Sequence, residues 1–226
     1  MRMGELTRRA GVTSATVKWY IRIGLIPRGE STARNQAVYD ERHLHRIRLI
    51  RALLEVGRLS VEQVQQLLAA VDDPALSPAD IAAAAHAAIS RPTGHADGDE
   101  ALPVVDDYLR ARGWSIAPDS PARRDLAAVL SALGRLTGPV GNDVAAPPAA
   151  TGADIAHLLD PYADALEPLA VAEVTGLPPR EQRAELVERI VLGTVLMDQA
   201  ISALRRLAQE SAFHASVDLP AGRREP

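Results

Sequence analysis

The chain has 226 residues, about one and a half times a typical domain, which favours two domains or one domain with a long appendage. Its 47% hydrophobic and 24% charged residues are average for globular proteins. The absence of cysteine excludes disulfides, zinc–thiolate sites, iron–sulfur clusters and thiol catalysis, and we expect a cytoplasmic protein. The longest uncharged stretches run to about ten residues, half of what a membrane span needs, so no membrane partner is expected.

Charge is distributed unevenly along the chain, although the net formal charge is only -4. Residues 1–71 carry 12 lysines and arginines against 6 acidic residues, a balance of +6. Residues 72–226 carry 13 against 23, a balance of -10. A basic segment before an acidic one indicates a nucleic-acid-binding domain followed by a domain that does not contact nucleic acid.

The first segment opens with two short helical patterns separated by a turn. A helix from about Met3 is ended by Gly11, because glycine readily adopts the left-handed conformation of a helix C-terminus. Thr13 or Ser14 can cap a second helix that runs to Gly24. Two short helices joined in this way are typical of a helix-turn-helix.

Turn-forming and β-favouring residues follow the second helix. The polar stretch Arg28–Gln36 and the β-favouring Ala37–Tyr39 predict a hairpin that forms a wing. Asp40 begins a third helix, and Ser60 with Gln63 provides a capping box for a fourth. Beyond them the sequence is alanine-rich and acidic, and we expect five further helices, at about 78–90, 104–112, 121–137, 162–174 and 179–213.

The last of these helices carries apolar residues at alternating spacings of three and four. This pattern suits a helix-pairing seam between two subunits. The middle of the helix is apolar nearly all round, so we expect one face to pack on its own domain and another on a second subunit. The alternative is a central helix in the bundle of a monomer. The residues of the predicted dimerisation seam are Val187, Ile190, Thr194, Met197, Ile201 and Leu204.

Several motifs of the first segment occur together in the order and spacing of a known family. They span the two helices, the turn, the wing and the two helices that follow, about 70 residues in all. They are Met3–Leu6, Ala10–Thr13, Thr16–Tyr20, Ile23–Pro27, Val38–Asp40, His43–Leu44, Arg46–Ile47, Ile50–Arg51 and Gly57 followed by Ser60–Val61. This segment resembles the winged-helix DNA-binding domain of MerR-type transcription regulators.

The resemblance implies a mainly α fold, in which a winged helix-turn-helix with a small β-hairpin wing precedes an all-helical C-terminal effector and dimerisation domain. The expected divisions are a DNA-binding domain at 1–71, a connecting helix and linker at 72–103, a helical domain at 104–215 with a flexible linker at 138–152, and a disordered tail at 216–226. A homodimer would then bind a pseudo-palindromic promoter site in double-stranded DNA. A signal would change the access of RNA polymerase to that promoter.

Candidate DNA contacts follow from the second helix, which is about as wide as the major groove, and from the wing. Tyr20 could instead be simple core packing. The predicted contacts are Ser14, Thr16, Lys18, Trp19, Tyr20 and Arg22 in the helix, Arg34, Asn35 and Gln36 in the wing, and Tyr39 and Arg42 at the wing junction.

The sequence also departs from the family pattern. Members that sense metal ions use cysteine ligands just beyond the fourth helix, and this chain has no cysteine, so metal sensing of that kind is excluded. His43 and His45 lie two residues apart and point to different faces of a helix, and the other histidines are isolated. We expect no metal site, no cofactor and no catalytic group, and therefore no enzyme.

Effector binding by the C-terminal domain is the least specified part of the prediction. Aromatic and acidic residues there could line a pocket for a small-molecule effector, with core packing as the alternative role of each. A rival interpretation is an architectural or excision-type DNA-binding protein with no small-molecule effector. A second rival is a ligand-sequestering or enzymatic module that carries a DNA-binding head. The candidate ligand-binding residues are Tyr108, Trp114, Tyr162, Glu167 and Glu173.

Overall fold

A computed structural model of the chain describes residues 1–33, 36–90, 99–137 and 152–217. Within these ranges the protein is mostly helical with one antiparallel hairpin, which confirms the predicted fold class. Compact packing divides the chain into a first unit, Met1–Ala75 together with the chain from Val191 onward, and a second unit, Leu76–Ile190. No helix among the described residues is long and apolar enough to cross a membrane.

The first unit contains the predicted helices and the hairpin. Side-chain caps begin three of its helices: the Thr13 hydroxyl accepts a hydrogen bond from the Thr16 amide, and Asp40 and Ser60 form capping boxes. Its elements are α1 (Met3–Ala10), α2 (Ser14–Arg22), β1 (Glu30–Ala33), β2 (Gln36–Val38), α3 (Glu41–Arg51), a π-helical turn (Ala52–Val56) and α4 (Val61–Asp72). The strand register pairs Glu30 with Val38, Ser31 with Ala37 and Ala33 with Gln36.

Apolar side chains from all four helices of this unit are withdrawn from solvent. α1 packs against α2 and α3, and the π-helical turn packs against α3 and α4. This burial provides most of the favourable free energy that holds the short helices together. The most deeply buried side chains are Leu6, Val17, Leu25, Leu44, Ile47, Ile50, Leu53, Val64 and Leu67.

Gly57 ends the π-helical turn at a place where only a hydrogen atom fits. A Cβ atom at this position would lie 2.5 Å from Cγ1 of Val195 and 2.7 Å from the Leu53 carbonyl oxygen. The next residue, Arg58, has a left-handed backbone with φ of 56°. The close approach of the backbone to Val195 fixes the path of the chain here.

The second unit consists of helices, with two short 3₁₀ turns, Asp99–Ala101 and Arg180–Gln182. Its core joins three helices and is formed by Ala101, Val105, Leu109, Ala127 and Leu130, with Leu102, Val104, Trp114, Leu126 and Leu159 packed against it. The helices are α5 (Pro78–Ile89), α6 (Leu102–Ala111), α7 (Pro121–Thr137), α8 (Gly152–Thr175) and α9 (Arg183–Val217). The part of α9 from Val191 onward belongs to the first unit.

α8 begins ten residues before the predicted start at residue 162. The sequence pattern favoured a start after Pro161, because proline removes a hydrogen bond inside a helix. Leu159 packs on the core of the unit, and Asp160 accepts a hydrogen bond from the Tyr108 hydroxyl at 3.0 Å. These contacts hold the turn before Pro161 in helical form. Most of the predicted linker, 138–152, and of the predicted tail, 216–226, lies outside the described residues.

We predict that an ion pair between α6 and α7 makes the second unit sensitive to acid. Arg123 donates to both carboxylate oxygens of Asp106 and holds the pKa of that carboxyl below its ordinary value. The resulting stabilisation is complete above the pKa of the unfolded carboxyl and is lost as pH falls through the lower folded pKa. Asp106→Asn should therefore destabilise the protein at pH 7, and its effect should shrink steadily as pH falls below the ordinary carboxyl range, in urea unfolding followed by circular dichroism.

The neighbouring Asp107 provides a matched control for that measurement. It pairs with Arg110, and both side chains are 73% exposed, so Asp107→Asn should change the free energy of unfolding little at any of these pH values. Equal destabilisation by the two variants at pH 7 would contradict the prediction.

We also predict that Gly57→Ala destabilises the first unit by about 1–3 kcal/mol, because its Cβ would overlap Val195 and backbone. Gly134, in α7, is the control, since its added Cβ would meet no heavy atom of the described residues within 4 Å. Gly134→Ala should leave stability unchanged or raise it by up to about 1 kcal/mol. Thermal unfolding of both variants would decide, and equal melting temperatures would count against the close packing at Gly57.

Candidate nucleic-acid interface

The outer face of α2 carries a row of exposed polar and basic side chains. Ser14, Lys18 and Arg22 follow one another at intervals of four residues, so they lie along one side of the helix, and all three are exposed. Val17 and Tyr20 occupy the opposite side and are buried. Thr16 is half-buried, and its hydroxyl lies 2.9 Å from the hydroxyl of Thr13. α2 therefore presents a narrow basic edge while its other side anchors it.

The two aromatic residues of α2 differ in exposure. Trp19 is half-buried, and its ring packs at a tilt against that of Tyr20, with ring centroids 5.3 Å apart. Tyr20 is only 4% exposed, and burial raises the pKa of its hydroxyl. Its ring thus packs in the protein interior, as the alternative interpretation has it, and a phosphate contact by its hydroxyl stays a prediction.

The junction between the wing and α3 is built around Tyr39. Its ring is buried and meets the His43 ring edge-on, with centroids 5.2 Å apart, and burial raises the pKa of its hydroxyl. Its amide donates to the Met1 carbonyl at 2.8 Å, which ties the start of the chain to the wing. Arg42 is exposed in the first turn of α3. Of the predicted wing contacts, Arg34 and Asn35 lie outside the described residues, as does the side chain of Gln36.

The described basic residues among 1–75 include two groups. Arg9, Arg46 and Arg51 form ion pairs with Glu41, Asp72 and Glu55 respectively. The second group is exposed and makes no ion pair with any carboxylate of the described residues; it includes Arg2, Lys18, Arg22, Arg28 and Arg42. An unpaired surface cation can neutralise a phosphate without breaking an existing pair, so the second group is the one suited to DNA.

Arg2 is a candidate that the sequence analysis did not identify. It occupies the N-cap position of α1 and is exposed. Its neighbour Met1 makes the backbone hydrogen bond to Tyr39, 38 residues away in sequence. No local pattern reveals a contact of that separation, which is why the residue was missed.

Three of the predicted ligand-binding residues, Tyr108, Trp114 and Glu167, gather around Arg112 in the second unit. Arg112 donates to Asp164 at 2.6 Å and to Glu167 at 2.9 Å, and its guanidinium carbon lies 5.8 Å from the ring centroid of Trp114. Burial and the hydrogen bond to Asp160 raise the pKa of Tyr108 to about 12.

The other two predicted ligand-binding residues lie on the surface of α8. The Tyr162 residue is 46% exposed, and Glu173 is exposed in the last two turns of the helix. The five residues predicted as one pocket therefore divide into a group of three and two residues on the surface of α8.

The predicted dimerisation seam changes character along α9. Val187 and Ile190 are buried within the single chain, whereas Thr194 and Ile201 are half-buried. Further along the same seam, Met197 is 44% and Leu204 is 65% exposed. Only the second half of the seam is thus available to another chain.

Among the described residues no group of three or more histidine, cysteine, aspartate or glutamate side chains could hold a metal ion. The whole sequence lacks cysteine, so the thiolate ligands that soft metal ions prefer are absent from this chain. The residues present do not fit a thiolate-bound metal.

A helix-turn-helix, a hairpin wing and a row of unpaired cations on the second helix define the class of winged helix-turn-helix DNA-binding proteins. Comparison with known proteins agrees. Residues 1–71 match the family described as MerR HTH family regulatory protein. An HTH-type transcriptional regulator, HmrR of Sinorhizobium medicae (strain WSM419), is 30% identical over 132 residues, which are 50% of this chain and 89% of that protein.

The chain is also similar to a regulator that it matches over a shorter segment and to a protein of known crystal structure. The mercuric resistance operon regulatory protein of Bacillus cereus is 34% identical over 71 residues, which are 31% of this chain and 53% of that protein. The crystal structure of a candidate transcriptional regulator from Streptomyces coelicolor A3(2) is 34% identical, with a TM-score of 0.66 over 94% of this chain and 95% of that one. The chain belongs to the MerR family of transcriptional regulators. It is therefore a regulator and not an enzyme.

Proposed function

We propose that the protein is a homodimeric, cytoplasmic transcription regulator that binds a pseudo-palindromic promoter site through two winged helices and receives a signal in its second unit. The observation that carries the proposal is the row of Ser14, Lys18 and Arg22 on α2, whose two cations have no carboxylate partner among the described residues. Such a row suits the major groove, where backbone phosphates and base edges lie within reach of one helix face.

The remaining DNA contacts would come from α2, from the wing and from the junction of the wing with α3. Thr16 and Trp19, both half-buried on α2, would add contacts from the helix, and Arg34, Asn35 and Gln36 of the predicted wing would contact the backbone or the minor groove. Tyr39 and Arg42 would contact phosphates at the junction of wing and α3. In this arrangement the phosphate contacts orient the domain, and the first turns of α2 read the bases.

Dimerisation is supported by the second half of α9. None of the residues 196–215, all of which the structure describes, is buried within the single chain. A helix that buries no side chain gains little stability from tertiary packing, and this segment exposes Met197, Leu204, Leu207 and Phe213. A second copy of the same helix would cover these apolar side chains, and the pair would place two winged helices on one DNA site.

The signal would be received by the second unit, which has a core of its own. Relatives are named for mercury and heavy metals, but this chain has no thiolate to bind such ions. A small-molecule effector is therefore the signal that we propose, with Tyr108, Trp114 and Glu167 near Arg112 and Tyr162 and Glu173 on α8 as candidate contacts. Its binding would alter the access of RNA polymerase to the promoter.

An architectural DNA-binding protein without an effector is the second candidate. It is favoured by the contacts of Arg112, since three carboxylates of α8 and the Trp114 ring already surround this cation. Such a protein would bind its site with one affinity under all conditions, whereas a regulator would change affinity or DNA geometry when its signal is present.

We predict that Lys18→Ala and Arg22→Ala each weaken binding to every DNA sequence and lower the slope of log affinity against log salt by about one, because each removes one phosphate contact. The measurement is fluorescence anisotropy of the full-length protein on duplex DNA from upstream of its own gene and on a scrambled duplex, across a salt series.

Arg9→Ala is the matched control, because it removes the same kind of charge from the same unit but from a residue already paired with Glu41. Its salt slope should equal that of the unaltered protein. If the slopes of Lys18→Ala and Arg22→Ala are also unchanged, the row on α2 is not the DNA contact. If the unaltered protein does not prefer the upstream DNA, the promoter site is wrong or the preference needs the signal.

We predict that Met197→Glu and Leu204→Glu each convert the dimer to a monomer, because a carboxylate in an apolar seam is desolvated without a partner. Gln209→Glu introduces the same charge on an exposed position outside the seam and should leave the dimer intact. Sedimentation velocity would measure the three masses. A dimer that survives both seam variants would place the interface elsewhere, and residues 78–90 would be tested next.

A further inference from the structure

The C-terminal end of α2 is held by side chains from two other helices. After α2 the chain turns at Gly24, whose φ is 80°, and the carbonyl groups of Ile23 and Leu25 are not used by the helix itself. The amide nitrogen of Gln65, in α4, donates to the Ile23 carbonyl at 2.7 Å. Nε of Arg46, in α3, donates to the Leu25 carbonyl at 3.1 Å. Two donors thus fix the end of the helix that carries the DNA-reading row.

Asp72 fixes the orientation of the Arg46 side chain. The two Nη atoms of Arg46 donate to the two carboxylate oxygens of Asp72, at 3.0 and 2.5 Å. Because the guanidinium group is planar and rigid, this bidentate pair also sets the direction in which Nε points at Leu25. The Arg46 side chain is 15% exposed, so little solvent competes for its donors. Asp72 is the last residue of α4, and the second unit begins four residues later, at Leu76.

Specific and non-specific DNA binding place different demands on such a support. Hydrogen bonds to base edges need donors placed to within a few tenths of an ångström, whereas long side chains such as Lys18 and Arg22 reach phosphates from a range of helix positions. A loosened α2 would therefore lose discrimination between sequences and keep its number of phosphate contacts.

We propose that Gln65, Arg46 and Asp72 are positioning residues that set the orientation of α2 for reading bases. Because Asp72 is the last residue of α4, these residues also make the orientation of α2 depend on the path of the chain at 72–76. The proposal rests on the proposed function and specifies its regulation: a signal that shifts the chain where it leaves α4 acts on α2 through Asp72 and Gln65. None of the three residues needs to touch DNA.

The test is the double variant Gln65→Met/Asp72→Asn in the full-length protein. The methionine keeps the length of the side chain and removes the donor, and the asparagine removes the charge. On the upstream duplex we expect affinity to fall about tenfold, while affinity for the scrambled duplex and the salt slope stay unchanged. Glu62→Gln, an exposed charge on the same helix, is the control and should change neither affinity. Asp72→Glu keeps the carboxylate and, combined with native Gln65, should retain discrimination.

Hydrogen exchange provides a readout that needs no DNA. In the double variant the amides of α2 should exchange faster, whereas those of α1, to which none of the hydrogen bonds described for these three residues leads, should keep their rates. Faster exchange in α1 and α2 alike would show general loosening of the unit and overturn the positioning role. An unchanged affinity ratio between the two duplexes, or a fall of equal size on both, would overturn it as well.

These outcomes separate the inference from the function on which it rests. If the unaltered protein fails to distinguish the upstream from the scrambled duplex, the proposed function fails at that site, and the exchange rates of α2 alone decide the structural part. If the unaltered protein distinguishes them and the double variant does so equally well, the function stands and the positioning role is wrong.

Discussion

The carbonyl groups at the C-terminal ends of the two short helices, α1 and α2, need hydrogen-bond donors from other parts of the first unit. The last carbonyl groups of every helix have no partner within that helix. Because α1 and α2 have only eight and nine residues, few of their carbonyl groups are paired within the helix. α3 supplies donors near both ends: Arg51 donates to the Ala10 carbonyl at 3.0 Å and Arg48 to that of Arg9, at the end of α1, while Arg46 donates to the carbonyl of Leu25, three residues beyond α2. Because one helix serves both members of the helix-turn-helix, their relative orientation is fixed by side chains that a DNA contact does not use.

Local signals in the sequence are enough to predict most helix ends of the first unit, but they do not predict where α8 begins in the second unit. Caps at Thr13 and Ser60 and the glycine after α1 act within one helical turn, so their effect can be predicted without knowing the fold. The start of α8 could not be predicted, because Pro161 locally favours a break and the contacts that overcome it come from α6, about fifty residues earlier. The close approach of Val195 to Gly57 likewise joins residues far apart in sequence, so no local pattern predicts it.

In the candidate site, too, features set by neighbouring residues could be predicted, whereas contacts between residues distant in sequence could not. The four-residue spacing of Ser14, Lys18 and Arg22 is enough to predict that they share one face of a helix, and all three are exposed on α2. The support behind them was not predicted, since Gln65 meets Ile23 across 42 residues of sequence. Charge alone also could not separate the cations held in ion pairs from the others, because two of the three pairs, Arg9 with Glu41 and Arg46 with Asp72, join residues on different helices.

The positions of the two tryptophans have a practical consequence. The sequence has only two, and Trp19 lies on α2 against Tyr20, whereas Trp114 lies beside Arg112 in the second unit. Each unit therefore contains one tryptophan, whose ring lies against Tyr20 in the first unit and beside Arg112 in the second. Replacing either tryptophan with phenylalanine leaves a protein whose tryptophan emission, excited at wavelengths that tyrosine does not absorb, reports on one unit alone. Events at α2 and events around Arg112 can then be timed separately without attaching a dye.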